Sequence, residues 1–370
     1  MSISKVPFVD LKAQYLSIKP EIDQVIAQVI DNTEFIGGKP VTNFEQSFAE
    51  LYGVRHVISC ANGTDSLYII MKMLGIGPGD EVITVANSWI SSSETISQTG
   101  ARPVFVDIDP EYYSLDETLL EAAINSKTKA VIAVHLHGQM CKIDTIKLIC
   151  DKYGLSLIED CAQSHFSEYK GVRAGMTGIA GSFSFYPGKN LGAYGDAGCI
   201  ITNDDTLAEK CRMYARHGAL IKHKHKIEGI NSRLDSIQAA ILSVKLPHIL
   251  RWTDQRIENI KMYTDQLKDC PDIVLPKVRP DAKHTFHLFV IRTKKRDELL
   301  NYLAENGIES AIHYPTILPM LECYNYLGHK SEMFPVAFQY QHEILSLPIF
   351  PELSAASITY ISQKILSFFK

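Results

Sequence analysis

An α/β architecture built on a largely parallel sheet is predicted by three observations. Short apolar runs alternate with amphipathic stretches of helical spacing from about residue 54 to residue 214. The runs 81–85 (EVITV), 129–136 (KAVIAVHL) and 155–160 (LSLIED) are nearly all apolar, as strands covered on both faces are. Residues with chemical character follow several of these runs, at the strand carboxyl ends where ligands gather in such sheets.

The chain opens with an extended piece over 6–11 and a helix whose apolar positions are Ile22, Val25, Ile26, Val29 and Ile30. Phe35-Ile36-Gly37-Gly38 interrupts it, 43–52 reads as helix and 54–59 as a short strand. Leu67, Ile70, Met71 and Leu74 then mark a helix with Gly63 and Thr64 at its start. Strands at 81–85, 103–108, 129–136 and 155–160 are separated by helices following 87, at 116–124 and at 143–153. Residues 182–185 form a strand entering a bend, 199–204 another strand, and 205–214 a helix that ends at Arg216-His217-Gly218. The segment 229–242 opens a further helix, with Ile237, Ala240 and Ile241 on one face. Beyond about residue 246 the pattern changes to a long helix and a separate α+β segment. The expected domains are therefore 1–246, a large α/β unit, and 247–370, a smaller C-terminal α+β unit.

Composition narrows the function. A net charge of −5 argues against a general nucleic-acid surface. No apolar run reaches the ~18 residues needed to span a bilayer. The start, MSISKVPFVDLKAQ, lacks the apolar region of a secretory signal, so a cytoplasmic protein is expected. The eight cysteines are scattered with no CxxC pair, and no metal is expected.

The chemistry centres on 181–198, GSFSFYPGKNLGAYGDAG. Lys189 sits in a Gly/Pro-rich bend, where a lysine is placed to form a Schiff base with a carbonyl. A surface lysine in a glycine-rich hairpin would look the same locally. Asp160 ends an apolar strand, so its charge needs a partner. A pyridine-based cofactor needs a lysine for its aldehyde and a carboxylate to keep its ring nitrogen protonated. Glu159 points to the other face by alternation. A capping or ion-paired role is the alternative for Asp160; Gln163, three residues on, is within reach of a ring hydroxyl, and Trp89 offers an indole for stacking or is plain core. Gly63 and Thr64 open a helix whose N terminus suits a phosphate, and Ser184 lies at a strand end. The basic run Lys222-His223-Lys224-His225-Lys226 suits a solvated loop or a diphosphate; a His-x-His metal site is disfavoured, because no carboxylate or cysteine ligand has matching spacing.

Taken together these motifs resemble the DegT/StrS-type sugar aminotransferases, of the fold-type I group that uses pyridoxal 5′-phosphate (PLP). The resemblance runs through VPFVDLKAQY, SCANGTDSL, GPGDEVI, GARPVFVDID, LIEDCAQS, FSFYPGKNLGAYGDAG, NSRLDSIQAAIL, IHYP and LSLPIFP, in that order. It implies a fold-type I architecture, with Lys189 as Schiff-base lysine and proton carrier, and Asp160 on the pyridine nitrogen. It also implies Gln163 near the ring hydroxyl, Trp89 on the ring, and Gly63, Thr64 and Ser184 on the phosphate. Asn231 would reach that phosphate from a neighbouring subunit, making a homodimer with shared sites. His217, Lys222, His225 and His313 would face the sugar or diphosphate.

The resemblance further implies a cycle in which PLP takes an amino group from L-glutamate, becomes pyridoxamine phosphate, and aminates a keto sugar on a nucleotide diphosphate. FYPGKNLGA with GINSRLD is most similar to enzymes acting at C3 of a dTDP-linked 3-keto-6-deoxyhexose. A UDP-linked 3-keto-2-acetamido sugar, C4 amination, another PLP reaction and a non-enzymatic sugar-nucleotide or regulatory binding protein are the alternatives. His137 departs from the family pattern, which commonly has Tyr there.

Overall fold

The computed structural model describes residues 5–370; residues 1–4, the start of the stretch read as lacking a leader, lie outside them. Seven strands form the main sheet: β1 (His56–Cys60), β2 (Glu81–Val85), β3 (Arg102–Val106), β4 (Thr128–Val134), β5 (Ser156–Asp160), β6 (Ala180–Ser184) and β7 (Gly198–Thr202). Their order is β1-β7-β6-β5-β4-β2-β3. β7 runs antiparallel to both of its neighbours, and the other pairings are parallel. The alternation of apolar runs and helices thus produces the expected architecture. The antiparallel β7 follows from the loop 185–197, which returns the chain beside β6 without a helical crossover.

Ala130, Val131, Ile132 and Ala133 of β4 are fully buried in succession, which explains the missing polar face in that run. Each buried branched side chain of this kind contributes about 1.5–3 kcal/mol. Local chemistry sets the helix ends. Asn62 caps α4 (Gly63–Met73) by accepting from the Asp65 amide at 2.8 Å. Asp204 caps α8 (Asp205–Tyr214) in the same way. α7 (Ile143–Tyr153) stops at Gly154 in the left-handed conformation.

Two expectations are corrected at element boundaries. Residues 6–11 are extended only to Asp10, which caps a helix over Leu11–Ser17. The extended part is tied across the chain, with the Val6 amide donating to the Gly307 carbonyl. Residues 229–235 are not yet helical; α9 spans Ser236–Lys245. There, short backbone hydrogen bonds from Ile230 to Tyr214 and from Ser232 to Ala215 hold the segment extended.

Beyond α9, the 19-residue helix α10 (Ile249–Leu267) packs on α13 (Ala355–Phe368). A second apolar core collects Ile260, Tyr263, Leu267, Phe289, Leu299, Leu345 and Ile361 with Val6 from the amino end. Other late residues, among them Ile317, Leu318 and Ile344, pack into the core of the main sheet.

Candidate active site

β6 delivers the chain into the loop that carries Lys189. The loop is closed by hydrogen bonds from Phe185 to the Ala197 carbonyl, from Ala193 to Phe185 and from Lys189 to Tyr186. A Cβ on Gly192 would stand 2.3 Å from the Pro187 carbonyl oxygen, so only glycine fits that closure. Burial pushes the Lys189 ammonium down to about 8, with the Asp160 charge opposing the shift. Near neutral pH a larger fraction of Lys189 is then neutral than of an ordinary solvated lysine.

Asp160 ends β5 at the carboxyl edge of the sheet and is buried. Its Oδ2 accepts from the Ser92 hydroxyl at 2.8 Å and its Oδ1 from the Ala162 amide at 3.1 Å. Ser92 is supported in turn by Ser88 at 2.8 Å. Gln163 is buried beside them; its Oε1 accepts from the His137 amide at 2.7 Å and its Nε2 donates to the Tyr314 hydroxyl at 3.0 Å. The Tyr314 ring lies 5.8 Å from that of Trp89, which is 58% exposed in the single chain. His137 therefore meets Gln163 through its backbone, so a histidine in place of a tyrosine leaves that contact unchanged.

The other expected contacts gather at the start of α4. The amides of Gly63 and Thr64 have no intrahelical acceptor, because they begin the helix. Ser184 ends β6 directly against them: a Cβ on Gly63 would lie 2.7 Å from the Ser184 Cβ. Asn62 capping and an open anion site coexist here, since the cap uses the Asp65 amide and leaves the first two free.

Imidazoles surround Lys189. Burial, reinforced by the Lys189 charge, pushes His165 down to about 3 and His313 to about 4, so both are neutral. His165 is fully buried, and neither ring nitrogen has a hydrogen-bond partner among the described residues. His313 Nδ1 meets the Ser346 hydroxyl at 2.8 Å and its ring stacks on Phe8. His287 meets Asn190 Oδ1 at 3.3 Å. Ser92, Asn190, His287 and Tyr314 were absent from the sequence-based site. Position directly after Lys189 singles out Asn190, and IHYP contains Tyr314, but nothing local to the sequence distinguishes Ser92 or His287.

His217, Lys222 and His225 lie elsewhere in the single chain, on an exposed ribbon formed by β8 (Ala219–Ile221) and β9 (Lys224–His225). Among the described residues, no hydrogen bond or ion pair links them to Lys189, Asp160 or Gln163. His225 Nδ1 contacts the His217 carbonyl at 2.7 Å. Asn231 is exposed and forms a bridge with Arg216.

One buried group, His135, Glu159 and Cys161, has ligand atoms close enough to hold a metal. Its hydrogen bonds give it another role. The Cys141 amide donates to His135 Nδ1 at 3.1 Å, so the proton is on Nε2, which donates to Glu159 at 2.8 Å. Glu159 also accepts from the amides of Gly175, Thr177 and Gly178. Both imidazole nitrogens and both carboxylate oxygens are engaged.

The family profile of the DegT/DnrJ/EryC1/StrS aminotransferases matches residues 16–366. The chain is 45% identical to a pleiotropic regulatory protein of Geobacillus stearothermophilus, covering 99% of both chains. It is 42% identical to the dTDP-3-amino-3,6-dideoxy-alpha-D-galactopyranose transaminase of Aneurinibacillus thermoaerophilus, covering 97% of this chain and 98% of that one. Its backbone matches the crystal structure of S. venezuelae DesV in complex with a ketimine intermediate with a TM-score of 0.97 and 37% identity, over 100% of this chain and 99% of the other.

Proposed function

We propose that this chain, which belongs to the DegT/DnrJ/EryC1/StrS aminotransferase family, moves an amino group from L-glutamate to C3 of a keto sugar carried on a nucleotide diphosphate. The preferred acceptor is a dTDP-linked 3-keto-6-deoxyhexose. The enzyme works with PLP, as a homodimer in the cytoplasm.

The residues present fit that cofactor. A carboxylate able to accept from a protonated ring nitrogen, a lysine of lowered proton affinity and a helix start with two open amides converge on one buried edge of the sheet. The unpartnered His165 adds donor capacity beside Lys189. When bound, PLP supplies an electrophilic carbon for the amine and a ring that withdraws electrons from it.

The protein's part follows from its own groups. Ser92 and the Ala162 amide orient Asp160 and leave it capacity for a further donor. Gln163, fixed by His137 and Tyr314, stands ready at the ring hydroxyl. Gly63, Thr64 and Ser184 receive the phosphate. Lys189, whose proton affinity burial lowers, would hold the cofactor's carbonyl carbon and, once an incoming amine displaces it from that carbon, would be free to carry a proton between the two carbons involved. The observation that carries the reading is the gathering of buried Asp160, the Lys189 loop and the open start of α4 along one sheet, in a chain whose residues 16–366 match the family.

The test is product formation. Purified protein with PLP, L-glutamate and a dTDP-3-keto-6-deoxyhexose should yield the amino sugar and 2-oxoglutarate in equal amounts, lost in Lys189→Ala. Amination only of a UDP-linked 3-keto sugar would move the carrier assignment. No amino sugar from any keto nucleotide sugar would sink the proposal and favour a binding or regulatory role, as the name of the Geobacillus relative suggests for that protein.

A further inference from the structure

A second lysine lies buried against the loop that carries Lys189. Lys245, the last residue of α9, has no solvent-accessible surface. Its Nζ donates to the Gly192 carbonyl at 2.7 Å and sits 4.2 Å from the centroid of the Tyr194 ring. Gln238, two turns earlier on the same helix and so on the same face, accepts from the Tyr194 amide through Oε1 at 2.8 Å. α9 thus holds the far side of the loop at two points. On the near side Asn190 donates from Nδ2 to the Thr285 carbonyl at 3.0 Å. Lys189 hangs between these anchors.

The charge of this ammonium is poorly compensated. Among the described residues no carboxylate forms an ion pair with Lys245. Glu352 is near enough to favour its charged form, but burial still holds it down to about 8. An apolar side chain of similar volume avoids that desolvation but leaves the buried Gly192 carbonyl without its donor. What methionine cannot do is hold the Gly192 carbonyl. Because Gly192 closes the loop against Pro187, a shift of its carbonyl is transmitted to the backbone on which Lys189 sits.

We propose that Lys245 is a positioning residue for Lys189, its ammonium pinning the Gly192 carbonyl and the Tyr194 ring so that the Lys189 amine meets the cofactor in a reactive orientation. The inference rests on Lys189 being the cofactor-bearing lysine, and the experiment separates the two. PLP-loaded wild type, Lys245→Met, Lys245→Arg and Tyr194→Leu are compared. Borohydride reduction followed by peptide mapping first asks whether wild type holds the cofactor on Lys189; a wild type without the adduct ends both readings.

With the adduct present, Lys245→Met should stay folded at the assay temperature, though melting lower than wild type because the Gly192 carbonyl loses its donor. Its single-turnover half-reaction with glutamate should nevertheless slow by about 10- to 100-fold. Its KM for glutamate should stay within about twofold, as expected when orientation rather than binding is lost. The pH midpoint of its visible cofactor band should move by about half a unit or more. Lys245→Arg, which can still donate to Gly192, should recover part of the rate. A Lys245→Met protein with wild-type rate and wild-type midpoint overturns the proposal while leaving Lys189 in its role. If Lys245→Met fails to fold, Tyr194→Leu decides: a smaller change in the same direction supports the proposal, and an unchanged rate and midpoint overturn it.

Discussion

Two regions on opposite faces of β5 use neighbouring carboxylates in opposite ways. On the far face, Glu159 is saturated: His135 and the three amides of Gly175, Thr177 and Gly178 take its oxygens, binding the 175–178 turn to the sheet. On the near face, Asp160 has one hydroxyl and one amide and retains lone pairs for a further donor. Both carboxylates are buried, and both sit at the end of the same strand. Burial therefore does not distinguish a structural carboxylate from one built for chemistry; unspent hydrogen-bonding capacity does. Lys189 belongs with Asp160 in this respect, since no hydrogen bond of its amine is satisfied by the described residues and its neutral fraction is large.

The comparison is broken most severely by Lys189→Ala, which should lower glutamate-to-sugar transfer by at least about 10⁴-fold, read in a coupled 2-oxoglutarate assay. Next comes the pair on β5. Asp160→Asn should cost about 10²- to 10³-fold in kcat with a near wild-type melting curve. Glu159→Gln should do the reverse, losing about 1–3 kcal/mol of stability in urea titration while kcat stays within a few-fold. Equal activity losses in the two variants would erase the distinction drawn between the faces. Ser92→Ala leaves the Asp160 charge in place but frees its orientation, and about a tenfold fall in kcat is expected from steady-state rates.

The smallest effect is on pH. Below a pKa of about 8, Lys189 gains a proton and cannot attack, so the rate of cofactor capture by apoprotein should fall with decreasing pH and level off above 8. Stopped-flow absorbance measures it. A capture rate still climbing between pH 9 and 10 would show an ordinary, solvated lysine.

Much of this site was legible because its chemistry is local. Lys189 stands in a Gly/Pro-rich bend after a short strand, a pattern a surface hairpin shares, and the other motifs in order single it out. Asp160 is a charge at the end of an apolar strand, and Gly63-Thr64 follow a capping Asn62. Other parts depend on contacts across long stretches of chain. Asn190 reaches Thr285, Gln163 reaches Tyr314, and Ser92 reaches Asp160; serine in a serine-rich helix start carries no mark of its partner. The bridge from Val6 to the 307–308 turn is hidden for the same reason. The run 222–226, in the turn and second strand of the ribbon, was legible as basic, but an exposed element has little packing in the single chain to define what it meets.

The most direct test of the account is the visible absorption spectrum of the purified protein beside Lys189→Ala, before and after addition of L-glutamate. Wild type should show a yellow band that bleaches as glutamate delivers its amino group, and the variant should show no such lysine-dependent band. A wild-type protein that stays colourless with added PLP would contradict the cofactor assignment and, with it, the roles given to Lys189 and Asp160.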